Sequence, residues 1–87
     1  MRKLMIFIQK NCPYCKAALR GIEELQKEEI YQEIEITLID ELVESEYADT
    51  FDYFYVPTFY YQDRKIHEGA INDIELKQIF DNVISDV

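Results

Sequence analysis

The tetrapeptide Cys12-Pro13-Tyr14-Cys15 stands between an apolar run and a stretch with helical periodicity, and it constrains the fold more than any other segment. Leu4–Ile8 is a continuous apolar run of strand length, as found in strands that are covered on both faces. Pro13 suits the first position of a helix, because its φ is fixed and its missing N–H has no helical partner there. The segment therefore predicts a strand, a short turn and a helix that begins at the first cysteine.

Both cysteines of the chain lie in this segment. If Cys12 opens the helix, Cys15 falls in its first turn, and the two thiols are close enough to form a disulfide. Unpaired N–H groups and the helix dipole favour a thiolate at Cys12, and Lys10 and Lys16 add positive charge nearby. We expect Cys12 to be the attacking thiol and the more buried, less ionised Cys15 to be the resolving thiol.

Two other roles of the cysteine pair fit the sequence less well. As a structural disulfide, the pair would close a loop of about four residues, worth roughly 2 kcal/mol before any strain is subtracted. As a zinc site it lacks ligands, because the chain has no second cysteine pair and its one histidine is His67. We therefore interpret the pair as a redox-active dithiol that holds no bound cofactor.

Length and composition favour a small folded protein. The chain has 87 residues, 48% of them hydrophobic, which suits a single domain over residues 1–87 with one modest core. No stretch approaches the ~20 apolar residues of a membrane span, and the run after Arg2 and Lys3 is too short for a signal peptide. We expect a cytoplasmic monomer, in which a single CxxC pair is a reactive dithiol.

The formal net charge of −9 is unevenly distributed along the chain. Residues 1–20 carry five basic residues and no acid, whereas residues 21–54 carry twelve acids against the single base Lys27. The dithiol segment is thus the one basic region of an acidic chain. Phosphate repulsion over the remainder argues against nucleic acid as a partner.

Hydrophobic periodicity predicts seven elements in the order β-α-β-α-β-β-α. A βαβ opening makes the first two strands parallel, and a short turn at Gln62-Asp63 makes the last two antiparallel. The predicted fold class is α/β, with a mixed four-stranded sheet and helices on both faces. The strands are expected at 4–8, 34–39, 56–61 and 64–68, and the helices at about 13–29, at about 41–53 with Asp40 as cap, and from Asn72 or Asp73 onward.

Aromatic residues crowd around Pro57. Phe59 and Tyr61 are expected in the core, because a central strand is covered on both faces. For the others, both core packing and a docking surface for protein substrates remain open. His67, on a predicted edge strand, is expected at the surface and not as a catalytic base, since an ionised thiol needs none. The cluster consists of Phe51, Tyr53, Phe54, Tyr55, Phe59, Tyr60 and Tyr61.

Three features together resemble the glutaredoxins of the thioredoxin superfamily. They are the CPYC tetrapeptide after the first strand, Val56-Pro57-Thr58 before the third strand, and Gly69 ahead of the last helix. The resemblance covers essentially the whole chain. It implies a thioredoxin-like fold, a dithiol thiol-disulfide oxidoreductase, glutathione as co-substrate and disulfide-containing proteins as partners.

The resemblance also implies a substrate groove beside the dithiol. In the family, a cis-proline packs beside the dithiol and leaves the backbone of the preceding residue free to pair with a substrate. A lysine before the dithiol helps to hold the glycine carboxylate of glutathione, an aromatic stands within the dithiol, and two residues at the start of the last helix hold the γ-glutamyl end. Pro57 matches the cis-proline, and Val56 is the residue that precedes it. Lys10 matches the lysine and Tyr14 the aromatic residue. Asn72 and Asp73 match the two residues at the start of the last helix.

Two departures from the family pattern bear on glutathione, which is an anion at neutral pH. The usual glycine pair is Gly69-Ala70, and Asp49 and Asp52 lie where many glutaredoxins offer a basic or amide side chain, so that like charges repel. An alternative is therefore a glutaredoxin-shaped disulfide reductase that receives electrons from a thioredoxin-reductase-like flavoprotein. A metal or iron–sulfur binding module with Cys12 as ligand, and a non-catalytic adaptor, fit the proline-containing dithiol less well.

Overall fold

The strands and α-helices follow one another in the predicted order β-α-β-α-β-β-α, with a 3₁₀ helix that was not predicted between the first helix and the second strand. The computed structural model describes residues 2–86. Its elements are β1 (Arg2–Ile8), α1 (Pro13–Leu25), a 3₁₀ helix (Glu29–Glu33), β2 (Ile34–Asp40), α2 (Ser45–Ala48), β3 (Thr58–Tyr61), β4 (Arg64–Glu68) and α3 (Asp73–Ser85).

The four strands form one mixed sheet in the order β2-β1-β3-β4, so that β2 and β4 lie at its edges. β1 pairs in parallel with β2, with Arg2 opposite Ile34, and pairs antiparallel with β3. β3 and β4 are antiparallel, and Gln62 and Asp63 join them with left-handed φ angles of 51° and 63°. Two left-handed residues give a tight turn whose twist matches that of the strands. The predicted strand directions and the predicted turn are confirmed.

One face of the sheet is covered by α1 and α3. The two helices approach closely at Gly21, where a Cβ atom would lie only 2.7 Å from Cδ2 of Leu76. Phe59 and Tyr61 lie in this core, 0% and 6% exposed, as the sequence predicts. The buried residues of the cluster are Leu4, Ile6, Ala18, Ile22, Tyr31, Ile34, Phe59, Tyr61, Leu76, Ile79, Phe80 and Val83.

The opposite face is covered by the short helix α2 and the irregular segment 49–57. The ring of Phe7 stacks on that of Tyr53 with centroids 4.8 Å apart, and it contacts the ring of Phe51 at the same distance. Helical structure thus lies on both faces of the sheet, as predicted, but the second layer is thin. Its buried residues are Phe7, Ile39, Ala48 and Tyr60.

The second helix is much shorter than the prediction of about 41–53, because only Ser45–Ala48 are helical. Asp40 does not cap this helix; its carboxylate accepts the N–H of Leu42 at 2.9 Å in a tight turn. Leu42 and Val43, which lie before the helix, are 70% and 78% exposed. The prediction is therefore wrong at both ends of the segment.

Hydrogen bonds from distant side chains explain why this segment leaves the helical conformation. The carboxylate of Glu41 accepts the hydroxyl of Tyr53 at 2.6 Å, and the carbonyl of Asp52 accepts the hydroxyl of Tyr60 at 2.7 Å. The first bond joins the two ends of the segment, which a continuous helix would hold about 18 Å apart, and the second joins the segment to Tyr60 of β3. Tertiary contacts therefore override a helical periodicity that is only moderate.

Four further element boundaries differ from the prediction. Strand β1 begins at Arg2 and not at residue 4, and β2 ends at Asp40 and not at residue 39. Helix α1 ends at Leu25, short of the expected end, and the next side chain, Gln26, turns to donate to the carbonyl of Ile34 at 2.9 Å. Strand β3 begins at Thr58, because Pro57 has no N–H to contribute to a strand ladder.

Candidate functional site

The dithiol lies at the N-terminus of α1, just beyond the end of β1. Cys12 precedes the helix in an extended conformation, and Pro13 occupies its first turn. The N–H of Cys15 donates to Sγ of Cys12 at 3.1 Å, so the sulfur caps the open end of the helix. Both thiols are free. An N–H donor and the helix dipole together stabilise negative charge on this sulfur.

The two cysteines lie in different environments. Cys12 is half-buried, whereas Cys15 is 0% exposed. The pKa of the Cys15 thiol is raised from 9.0 to about 12. Burial is the largest cause, and the hydrogen bond with Cys12 is the second largest. Cys15 therefore remains a protonated thiol at neutral pH. The difference has the direction that an attacking and a resolving thiol require.

Val56 and Pro57 border the dithiol from the side of β3. The peptide bond between them is cis, as the resemblance implies. Sγ of Cys12 lies 3.8 Å from the carbonyl oxygen of Val56. Pro57 is buried, and its carbonyl accepts the N–H of Gly69 at 2.8 Å. The structure thus brings these two predicted site residues next to Cys12.

Lys10 and Tyr14 flank the dithiol in the chain and are both exposed. Lys10 lies in the turn between β1 and α1, and Tyr14, in the first turn of α1, is 63% exposed. Their side chains are accessible to a molecule bound at Cys12.

Asn72 and Asp73, the other two predicted site residues, are engaged within the fold at the start of α3. Oδ1 of Asn72 accepts the N–H of Glu75 at 2.8 Å, and Oε1 of Glu75 accepts the N–H of Asn72 at 3.1 Å. This reciprocal pair is a capping box. The carboxylate of Asp73 faces α1, 3.3 Å from the position that a Cβ on Gly21 would take. Both the N–H and the side chain of Asn72 are therefore already bonded.

A polar network next to the dithiol is absent from the sequence prediction. Gln9 donates to one carboxylate oxygen of Glu41, and the Tyr53 hydroxyl donates to the other. The carbonyl of Gln9 in turn accepts the N–H of Cys12 at 3.3 Å. The contact between Gln9 and Glu41 could have been predicted from the sequence. Each residue follows the end of one of two parallel strands, and such ends meet at one edge of a sheet.

Glu68, at the end of β4, is a second residue that the sequence prediction lacks. Its Oε2 accepts the N–H groups of Phe54 at 2.6 Å and Tyr55 at 2.9 Å, and its Oε1 accepts Nζ of Lys65 at 2.7 Å. These bonds lower the pKa of Glu68 to about 2; the bond with Lys65 contributes most, and the two N–H groups contribute next. The pairing of β3 with β4 places Glu68 opposite Thr58, beside the segment that leads into the cis bond. That pairing is the signal that could have identified it.

Other features of the described chain bear on the alternatives. Among residues 2–86, no three His, Cys, Asp or Glu side chains converge in a way that could hold a metal ion. The helices within this range are too short and too polar to cross a bilayer. His67, expected at the surface, is instead half-buried on the edge strand β4, with Nε2 2.9 Å from the carbonyl oxygen of Ala70.

Solved structures of three thioredoxins share this fold. The oxidised thioredoxin from Plasmodium falciparum has a TM-score of 0.76 at 23% identity, over 97% of this chain and 82% of that one. The germline-specific thioredoxin Deadhead from Drosophila melanogaster has a TM-score of 0.71 at 17% identity, over 93% and 79%. Thioredoxin O2 from Arabidopsis thaliana, in its oxidised state, has a TM-score of 0.67 at 17% identity, over 98% and 76%.

These likenesses confirm the predicted thioredoxin-like fold. No protein-family model and no curated protein matches the sequence.

Proposed function

We propose that the protein is a thiol-disulfide oxidoreductase that reduces disulfides through Cys12 and Cys15. The observation that carries this proposal is the contrast between two thiols on one helical turn. Cys12 is accessible and accepts an N–H at 3.1 Å, whereas the pKa of buried Cys15 is raised to about 12. One thiol is thus prepared to attack, and the other stays protonated until an intermediate is in place.

The reaction proceeds by two thiol–disulfide exchanges. The Cys12 thiolate attacks one sulfur of the substrate disulfide; a Cys12–substrate bond forms, the substrate S–S bond breaks, and the other substrate sulfur leaves as a thiolate and takes a proton from solvent. Cys15 then loses its proton and attacks Sγ of Cys12, which forms the Cys12–Cys15 disulfide and releases the second substrate thiol. Two electrons pass from the dithiol to the substrate.

An external reductant restores the Cys12–Cys15 dithiol, and no step uses a bound cofactor. Glutathione enters this scheme as a co-substrate, either as the partner in a mixed disulfide or as the source of electrons. We place the activity in the cytoplasm, where the prevailing reductants keep such a dithiol reduced.

Two observations favour protein disulfides over glutathione as the substrate. The N–H of Asn72 is bonded to Glu75, so the start of α3 has one donor fewer for the γ-glutamyl carboxylate. Asp49 and Asp52 are exposed, and each repels an anion at short range. The electrons would then come from a thioredoxin-reductase-like flavoprotein, which is the second candidate for the physiological reductant.

The test is disulfide turnover by the wild type, Cys12→Ser and Cys15→Ser with two electron supplies in parallel. One supply is reduced glutathione with glutathione reductase, and the other is thioredoxin reductase; a glutathionylated peptide and a protein disulfide serve as substrates. We expect Cys12→Ser to abolish turnover of both substrates. Cys15→Ser should accumulate a mixed disulfide at Cys12 that intact-mass measurement detects. Unchanged turnover in Cys12→Ser would overturn the proposal.

The same experiment distinguishes the two reductants. Turnover that depends on glutathione would mean that the tripeptide binds despite Ala70 and the neighbouring carboxylates. Turnover with thioredoxin reductase alone would assign the protein to the alternative electron supply.

A further inference from the structure

Phe54 and Tyr55 expose large aromatic side chains next to the dithiol. They are 85% and 70% exposed, in contrast to the buried aromatic residues of β3 that follow them. They directly precede Val56, whose carbonyl oxygen is 3.8 Å from Sγ of Cys12. The Cβ atom of Tyr55 also lies 3.8 Å from the position of a Cβ on Gly69. The two exposed residues therefore lie in the segment that leads directly into the contact between Val56 and Cys12.

The backbone that carries these two rings is held in place by side chains from other strands. Glu68 accepts the N–H groups of both residues, at 2.6 and 2.9 Å. The hydroxyl of Thr58 donates to the carbonyl of Tyr55, and that of Tyr60 donates to the carbonyl of Asp52, two residues before Phe54. An exposed aromatic pair on a fixed backbone loses little conformational entropy when a partner binds, which is a property of recognition surfaces.

The segment that carries the two rings bears negative charge. Asp49 and Asp52 are exposed on the same segment, whereas the carboxylate of Glu68 is neutralised by Lys65 at 2.7 Å. The complementary partner carries positive charge, because charges across an interface are arranged with opposite sign. A small anion fits this surface poorly.

We propose that Phe54 and Tyr55, here called the aromatic platform, dock a polypeptide substrate whose disulfide is flanked by apolar and basic residues. The proposal rests on the proposed disulfide reduction and names its substrate class. Rigid aromatic side chains contribute a large share of binding energy at protein interfaces, and the acidic surroundings select basic partners. Glu68 is a positioning residue, because it acts through the backbone of the platform.

The test compares two disulfides under single-turnover conditions with the pre-reduced protein, so that no physiological reductant is needed. One is a peptide dimer linked through a cysteine that leucine and lysine flank, and the other is bis(2-hydroxyethyl) disulfide, which is small and neutral. We expect the double variant Phe54→Ala/Tyr55→Ala to lower the rate constant for the peptide by roughly tenfold or more. The rate constant for the small disulfide should stay at its wild-type value.

A matched control is Tyr47→Ala, which removes another exposed aromatic side chain, 44% exposed, from the same side of the sheet. It should leave both rate constants unchanged. Glu68→Gln should lower the rate constant for the peptide alone, whereas damage to the fold would lower both.

Each outcome has a defined meaning. Equal losses on both disulfides, or no loss on the peptide, would overturn the platform proposal while disulfide reduction stands. A peptide with glutamate in place of lysine should react more slowly with the wild type; equal rates would overturn the assignment of a basic substrate. A wild type that reduces neither disulfide would overturn the proposed function itself.

Discussion

The two faces of the sheet are stabilised in different ways. On the face of α1 and α3, periodic apolar side chains interlock around residues such as Phe80, which is 0% exposed. On the other face, α2 has four residues, and the segment 49–57 is held by hydrogen bonds that Tyr60 and Thr58 donate to it and that Glu68 accepts from it. Apolar packing thus stabilises the scaffold, whereas individual hydrogen bonds fix the conformation of the segment 49–57 beside the dithiol.

The largest expected effect on stability is on the packed face. Phe80→Ala removes a fully buried ring that meets Tyr31 edge-on at 5.7 Å, and we expect the free energy of unfolding to fall by about 3–5 kcal/mol. Urea denaturation measures the change. Gln78→Ala, on the exposed side of the same helix, should change it by less than ~0.5 kcal/mol. A loss under ~1 kcal/mol for Phe80→Ala would contradict the contrast between the faces.

A smaller effect is expected where hydrogen bonds hold the thin face. Tyr53→Phe deletes the hydroxyl that Glu41 accepts at 2.6 Å and should lower the free energy of unfolding by about 1–2 kcal/mol. The control is Tyr47→Phe, whose hydroxyl has only a 3.9 Å contact with the sulfur of Met5. If both variants unfold at the same urea concentration, the hydrogen bond to Glu41 does not stabilise this face.

Acid should weaken the support of the aromatic platform. The pKa of Glu68 is lowered from 4.5 to about 2, first by Lys65, so its stabilising effect is complete above pH 4.5 and is lost as the pH falls through 2. The difference in unfolding free energy between the wild type and Glu68→Gln should therefore shrink over this range. Unfolding followed at several pH values tests this. Glu68→Gln curves that run parallel to those of the wild type would refute the linkage.

The smallest expected effect on stability is at the platform itself. Phe54→Ala removes a side chain that is 85% exposed, and the free energy of unfolding should change by less than ~0.5 kcal/mol. Thermal unfolding measures it. A loss above ~1 kcal/mol would mean that this ring packs within the fold and is not a free recognition surface.

The features that were predictable from the sequence depend on neighbouring residues. The start of α1 follows from Pro13, and the turn at Gln62-Asp63 follows from the two strand-like runs on either side. The extent of α2 did not follow from local pattern, because Glu41 and Asp52 bond to the hydroxyls of Tyr53 and Tyr60 in place of helical partners.

The hydrogen bonds of Glu68 illustrate the same limit at the candidate site. Glu68 is separated from Phe54 and Tyr55 by 14 and 13 positions in the sequence. Only the pairing of β3 with β4 brings its carboxylate to their N–H groups. The roles of the predicted groove residues remain predictions. Where a contact joins residues that are distant in the chain, residue type and periodicity carry little information about it.

The open edge of β2 has a consequence for how the molecule behaves in acid. No strand within residues 2–86 covers the outer side of this seven-residue strand, which carries Glu35 and ends at Asp40. At neutral pH the net charge of −9 opposes the approach of two copies through such an edge. Near the isoelectric point of about 4.4 this repulsion vanishes. Acidification should therefore cause copies to cluster and precipitate through their strand edges while each remains folded.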